Sequence, residues 1–556
     1  MSPLRGGDDA PRRSPALRRA VDAVAGLLVL VVLVAPSDPR HLAPAAFLRV
    51  PVEGVLGVAL LLALPSRARR VVAAPAGAAL GLVAVLKVLD LAFFTVLVRP
   101  FDPVLDWALA DDALGFLTDS AGRAAAIGAL VAAGVAALAV PAVTTLSVLR
   151  LSRLSGRHPA AATSAVGVLS VVWVTCAALG TQVAPGVPLA ADGAVTVLHD
   201  RAVQVGAGLR DRRVFAEEAA VDAFRDTPGD ALLTGLRGKD VVLAFVESYG
   251  RSAVEDPRIA PEVDAVLDAG TRRLAAAGFG ARSGFLTSPT SGGGSWLAHS
   301  TLLSGLWVTN EQRYRTLVSS DRFSLTRAFG RADWRTVGVE PGTTFAWPEG
   351  AYYGYDRIYD AHDLGYTGPR FGWSTMPDQF TLEAFERAEH GTADRGPLMA
   401  EITLTSSHAP WAPLPRLVPW ERLGSGAVFG PVAAQGQAPG AVWEDDARVR
   451  TEYGRSVGYS LTSLISWVER YGDDDLVLVF LGDHQPVPVV TGPDAGRDVP
   501  VTIVARDRSV LDRISGWGWE PGLNPGPGAP VWRMDAFRDR FLSAFGPSGQ
   551  SAARGR

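Results

Sequence analysis

Five apolar runs crowd the first third of the chain, and nothing else in the sequence limits its fold so strongly. They lie near 17–36, 47–65, 71–98, 124–148 and 161–183 and are built mostly of Ala, Val, Leu and Gly. A helix needs about 20 predominantly apolar residues to cross the hydrocarbon core. Within that core every backbone amide must find its hydrogen bond inside the protein, which leaves helices as the economical solution. The runs therefore predict a bundle of five transmembrane helices over residues 1–185. Four further apolar runs follow the first, which sets it apart from a cleaved signal peptide.

Loop charge orients the bundle. Arg5, Arg12, Arg13, Arg18 and Arg19 precede the first run, Arg67, Arg69 and Arg70 separate the second from the third, and Arg150, Arg153 and Arg157 separate the fourth from the fifth. The opposite loops are sparse or acidic, as at Asp102 and Asp106. Basic loops stay cytoplasmic, so the amino terminus is expected inside. An odd number of spans then places everything after residue 185 outside the cell, in a multi-pass protein of the cell membrane. Lys87 and Asp90 fall inside the third run, where ionisable groups are costly. At spacing i, i+3 they are expected to pair within one helix, a polar pathway being the alternative.

Residues 186–236 alternate short apolar and charged stretches and read as a juxtamembrane connector. From 237 to 546 apolar runs alternate with helical stretches, the pattern of an α/β domain with a central, mostly parallel sheet. A net charge of −4 supplies no basic surface for nucleic acid. The single cysteine, Cys176, excludes an internal disulfide framework and a cysteine-built zinc site.

Two apolar stretches of the second half end abruptly in acids: Asp240 to Val246 runs into Glu247-Ser248, and Leu476 to Gly482 runs into Asp483-His484. Both have the composition of strands buried on two faces. In open α/β sheets ligands gather beyond the carboxyl ends of the strands, so a Glu at one end and an Asp-His pair at another are placed to share a metal. Each acid taken alone is equally a turn or cap residue. A third segment joins them. Ser291-Gly-Gly-Gly-Ser295 leads into Trp296-Leu-Ala-His299-Ser-Thr-Leu-Leu303, which reads as a helix opened by Ser295. Unpaired N–H groups at a helix start favour an anion or a developing alkoxide. A plain Ser cap is the competing reading, and Thr290 and Ser291 are rival nucleophiles in the same loop.

The segment from Ser295 to Ser304-Gly305 resembles the nucleophile segment of the alkaline phosphatase and sulfatase superfamily, in which a Ser, Thr or Cys opens a helix and Gly follows ten positions later. The ends at Val246-Glu247-Ser248 and Gly482-Asp483-His484 resemble the metal-ligand motifs of its lipoteichoic acid synthase and phosphoglycerol transferase branch, which also carries five spans before an extracellular catalytic domain. The resemblance implies one divalent ion held by Glu247, Ser295, Asp483 and His484, manganese being the first expectation and magnesium or zinc compatible with the ligands. It implies a catalytic role for Ser295 as nucleophile and for His408, in Thr405-Ser-Ser-His408-Ala-Pro-Trp411, as general acid. Trp347, His299 and Arg313 are the expected substrate contacts, with Arg251 a further cation; His299, one helical turn past Ser295, either touches the transferred group or packs.

The chain departs from the family in two places. Leu297 and His299 stand where formylglycine-dependent sulfatases need Pro and Arg, which speaks against conversion of Ser295. In Phe345-Ala-Trp347-Pro-Glu349 the Trp that holds glycerol phosphate is kept, but an acid replaces the Arg. The expected function is transfer of a phosphoglycerol-type group from a membrane lipid donor to an envelope polymer or glycan acceptor through Ser295. A membrane-anchored phosphodiesterase or sulfatase, and a non-catalytic envelope protein, are the alternatives.

Overall fold

The computed structural model describes residues 15–103, 105–191, 193–492 and 494–547; Arg5, Arg12 and Arg13 lie outside them. The chain divides into two compact units, one of Met1–Phe94, Arg99–Val104 and Ala121–Gly208, the other of Thr95–Val98, Leu105–Ser120 and Leu209–Arg556.

In the first unit the five apolar runs coincide with α1 (Pro15–Val34), α2 (Val52–Ala63), α3 (Ser66–Leu97), α4 (Arg123–Arg157) and α5 (Pro159–Leu179). Among the described residues α3, α4 and α5 are long and apolar enough to cross a membrane. The 12 residues of α2 span about 18 Å at 1.5 Å each, and α1 opens on Arg18, Arg19 and Asp22. Small residues let α3 and α4 approach closely. A Cβ on Gly81 would stand 2.4 Å from the Pro141 Cα, and one on Gly77 2.6 Å from the Thr145 Cα. Thr144 adds a hydrogen bond to the Gly77 carbonyl, 3.0 Å, an apolar-phase device that replaces hydrophobic burial.

Lys87 and Asp90 are both buried, but they do not pair with each other as their spacing predicted. The Lys87 ammonium donates to the carbonyls of Val32, Leu33 and Ala35 at 2.9, 3.3 and 2.7 Å. Asp90 takes the Phe101 N–H at 3.0 Å and pairs with Arg201. The end of α1 leaves carbonyls without helical partners, and a buried ammonium satisfies several at once. Arg201 belongs to α6 (Gly193–Ala220), so the connector is largely one helix.

The second unit is built on a nine-stranded sheet. Its strands are β1 (Asp240–Val246), β2 (Gly280–Thr287), β3 (Arg335–Glu340), β4 (Arg357–Asp360), β5 (Leu398–Leu404), β6 (Leu476–Gly482), β7 (Asp498–Ala505), β8 (Glu520–Pro521) and β9 (Val531–Arg533). The order is β8-β2-β7-β6-β1-β5-β3-β4, with β9 beside β2. Strands β6, β1, β5, β3 and β4 are mutually parallel, while β7, β2 and β8 join through antiparallel pairings. The sheet is therefore mixed, with its antiparallel pairings all on the side of β6 away from β1.

Both faces are covered. Val242, Ala244 and Val246 pack with α7 (Ala260–Ala276) and α9 (Asp446–Tyr471). Val241, Leu243 and Phe245 pack with α8 (Ser295–Ser304) and α10 (Ala536–Ala544). Each central strand thus reads as an unbroken apolar run. The register places Gly482 opposite Val246, so β1 and β6 end level and their next residues, Glu247 and Asp483, emerge side by side.

Candidate active site

At the level end of β1 and β6, local backbone chemistry sets the geometry. A Cβ on Gly482 would lie 1.8 Å from the Tyr249 carbonyl oxygen, so only glycine lets the two strand ends close. Gly292, Gly293 and Gly294 all have positive φ, at 77°, 155° and 80°, conformations that glycine adopts without a Cβ penalty. They bring the chain back to start α8 at Ser295.

Ser295 does not behave as a cap. The cap position is Gly294 and makes no side-chain bond, while the Ser295 hydroxyl donates to Glu247 Oε2 at 3.0 Å and lies 3.2 Å from His484 Nε2. Of the rival residues, Thr290 donates its hydroxyl to the Gly293 carbonyl at 2.6 Å, and Ser291 is buried with its backbone in a bridge to Gln485.

Glu247, Asp483 and His484 are buried, with one ligand atom from each within 4.8 Å of the others. His484 Nδ1 faces the Gln485 carbonyl at 2.9 Å. A carbonyl only accepts, so Nδ1 carries the proton and the Nε2 lone pair faces Glu247 Oε1 at 3.4 Å and Asp483 Oδ2 at 3.5 Å. Asp483 Oδ1 accepts from the N–H groups of Ser248 and His484, both at 2.7 Å. Its other oxygen, Oδ2, is buried without a partner. Ser248, at φ 55°, also donates its hydroxyl to Glu247 Oε1 at 2.8 Å.

Lone pairs of two carboxylates, an imidazole and a hydroxyl converge here, and one oxygen is orphaned. Leaving a buried acceptor unpaired is costly, and a divalent cation removes that cost. The donor set fits zinc, manganese or magnesium. Electrostatics point the same way. Burial works to raise Glu247, yet the imidazoles of His484 and His408 outweigh it and hold its carboxyl at about 2. Burial and then the neighbouring Glu247 push Asp483 up to about 6. His484 is raised by the two carboxylates against its burial. Without an ion these carboxylates are balanced by protonated imidazole, the charge that a divalent cation would supply with His484 neutral.

His408 follows β5 on a loop, its ring stacked on Trp373 at 4.0 Å and its Nδ1–H directed to the Ala409 carbonyl at 2.6 Å. Trp347 is half-buried and reaches the Tyr314 hydroxyl at 3.4 Å. Two expected substrate cations are committed elsewhere. Arg313 donates to Asp211 and to the Trp307 carbonyl at 2.8 and 2.7 Å. Arg251 pairs with Glu255 and Asp498 at 2.8 and 3.1 Å. His299, expected beside the substrate, turns its Nδ1 to Glu401 at 3.1 Å and stacks on Phe245 at 3.7 Å.

Glu401 and Glu340 were not anticipated. Both carried a signal. Glu340 ends β3 as Glu247 ends β1, and Glu401 is the one charged residue in the buried strand Leu398–Leu404.

No protein-family model matches this chain, and no curated protein matches it. Solved structures do. The integral membrane protein lipooligosaccharide phosphoethanolamine transferase A from Neisseria meningitidis is 13% identical with a TM-score of 0.44, over 96% of this chain and 95% of that one. The lipoteichoic acid synthase LtaP from Listeria monocytogenes is 15% identical with a TM-score of 0.37, over 57% of this chain and 74% of that one. The phosphoglycerol transferase GacH from Streptococcus pyogenes, solved with sn-glycerol-1-phosphate, is 11% identical with a TM-score of 0.34, over 61% of this chain and 91% of that one.

Proposed function

We propose that the chain is a five-span membrane enzyme of residues 1–185, a connector over 186–236 and an extracytoplasmic catalytic domain over 237–546, which transfers a phospho-alcohol group from a membrane lipid to an envelope polymer or glycan. The observation that carries this reading is the Ser295 hydroxyl, held at 3.0 Å by Glu247 and 3.2 Å from the His484 lone pair instead of capping its own helix. Glu247, Ser295, Asp483 and His484 would hold one divalent ion, manganese first. When bound, the ion supplies charge that lowers the hydroxyl's pKa and offsets charge on the phosphoryl oxygens.

The chain's own groups complete the chemistry. Ser295 Oγ bonds to phosphorus as the bond to the diacylglycerol oxygen breaks. The hydroxyl proton passes along the hydrogen bond to Glu247, and His408 protonates the departing alkoxide. The start of α8 presents N–H groups to the phosphoryl oxygens. In the second step an acceptor hydroxyl displaces Ser295, His408 takes its proton, and Ser295 regains its own from Glu247. Trp347 would contact the donor's alcohol, and Glu349 in place of a cation points to an alcohol other than glycerol. The membrane anchor keeps lipid donor and site at high effective concentration.

Intact-mass analysis of the full-length protein after incubation with candidate phospholipids tests this. The expected result is a phospho-alcohol adduct on Ser295 that discharges when acceptor is added. No adduct from any donor, together with unchanged turnover in Ser295→Ala, would rule the proposal out. Discharge at one rate with or without acceptor identifies a hydrolase.

A further inference from the structure

A second group of metal-capable side chains lies one helical turn beyond the nucleophile. His299 of α8, Glu340 at the end of β3 and Glu401 inside β5 each offer a ligand atom, all within 4.8 Å of one another. We propose that these three residues form a second divalent-cation site, for a transition-metal ion such as zinc or manganese, separate from the ion beside Ser295.

One spacing, His299 Nδ1 to Glu401 Oε1, matches donors that share an ion, and all three ligand atoms lie within 4.8 Å of one another. Donors bound to a common metal at about 2.0–2.2 Å lie about 3–3.5 Å apart. His299 Nδ1 and Glu401 Oε1 are 3.1 Å apart, and the donors around Ser295 show the same range, 3.0 to 3.5 Å. The outward oxygens are already oriented by hydroxyls. Thr403 donates to Glu340 Oε2 at 2.9 Å, and Tyr355 donates to Glu401 Oε2. Such outer partners commonly aim metal-binding carboxylates.

The group sets two carboxylates against a single imidazole, with one internal contact between His299 and Glu401. Glu401 is 2% exposed and sits on the apolar sheet face with Leu243 and Phe245. Two carboxylates here repel each other at high cost unless a cation or a proton lies between them. The His299 Nε2 atom is buried and makes no hydrogen bond. With the proton on Nδ1, the Nε2 lone pair has no assigned partner. With it on Nε2, a lone pair faces the Glu401 carboxylate, an arrangement that a cation between them reconciles. An ion here would tie α8 to β3 and β5 and so steady the helix that begins with Ser295.

The site is independent of the Ser295 chemistry, and one experiment separates the two. Full-length, tag-free protein in detergent is stripped with a chelator, reloaded with Mn2+ or Zn2+, desalted, and its metal content measured. Wild type is expected to hold two equivalents. Glu340→Gln and His299→Gln should each retain one, and Asp483→Asn should retain the other, with circular dichroism verifying that each variant is folded. Two equivalents in both wild type and Glu340→Gln would overturn the proposal. A single equivalent that is lost in Asp483→Asn and kept in Glu340→Gln would also overturn it while sparing the Ser295 site. A single equivalent with the reverse pattern would sustain it and count against the ion at Ser295.

Discussion

Glu247, Asp483 and His484 form one buried acid–histidine group of this domain, and His299, Glu340 and Glu401 form another. They use the same chemical types at similar spacing, yet their settings differ. The first group emerges past the ends of β1 and β6, meets a hydroxyl that has left its own helix, and keeps one carboxylate oxygen unbonded. The second includes a mid-strand residue on an apolar face, and its carboxylates are steadied by Tyr355 and Thr403. On the proposed readings, the first arrangement would present a nucleophile and the second would tie a helix to a sheet. Charge clusters of like composition are thus told apart by what their spare valences face.

The contrast predicts a graded set of effects. Ser295→Ala should lower turnover at least about a thousandfold, since removing a covalent nucleophile leaves only binding and electrostatic assistance. It should leave metal content at the second group unchanged. If His299→Gln costs as much in kcat as Ser295→Ala, the division of labour is wrong. His408→Gln should cost about a hundred- to ten-thousandfold with a lipid donor, the usual contribution of a general acid. With a donor whose leaving group is an acidic phenol, which departs without protonation, most of that loss should vanish; an equal loss with both donors would remove His408 from its role.

Smaller effects are expected around the second group. Thr403→Val should weaken the second ion about 10- to 100-fold, as outer-partner changes do, without altering the occupancy set by Asp483. Equilibrium dialysis against Mn2+ reads both.

The smallest expected effect is on stability with pH. Glu340 is pushed up to about 7 in the folded chain by burial and by Glu401, above the ordinary carboxylate value of about 4.3. The protonated form is therefore favoured by folding. Its stabilising contribution is complete below the unfolded value and is lost as pH rises through the folded one. The chelated protein's thermal midpoint should fall between about pH 4.5 and 7, and Glu340→Gln should flatten that fall. An identical slope in the variant would remove Glu340 as its source.

Much of this architecture was readable from residue types alone. Apolar length located α3, α4 and α5, and uninterrupted apolar strands ending in acids located Glu247 and Asp483. The spacing of Ser295, Glu247, Asp483 and His484 in one cage rests on strand register, Gly482 opposite Val246, which no local pattern encodes. Lys87 and Asp90 show the opposite failure. Their i, i+3 spacing suggested a pair, but helix-end carbonyls and Arg201 offered better partners across the bundle. Arg313 and Arg251 are held in ion pairs, a setting the sequence does not reveal because an exposed guanidinium and a braced one read alike. Glu401 was legible as a lone charge in a buried strand, but only its three-dimensional neighbours give that charge a purpose.

The central claim is that phosphorus passes through Ser295. The stereochemical course at phosphorus tests it most directly, using a lipid donor whose phosphodiester is made chiral by oxygen isotopes, with the full-length enzyme, metal and an alcohol acceptor. Two successive in-line displacements, one by Ser295 Oγ and one by the acceptor, predict retention of configuration in the product. Inversion would mean that the acceptor attacks the lipid directly, and the covalent role of Ser295 would be wrong.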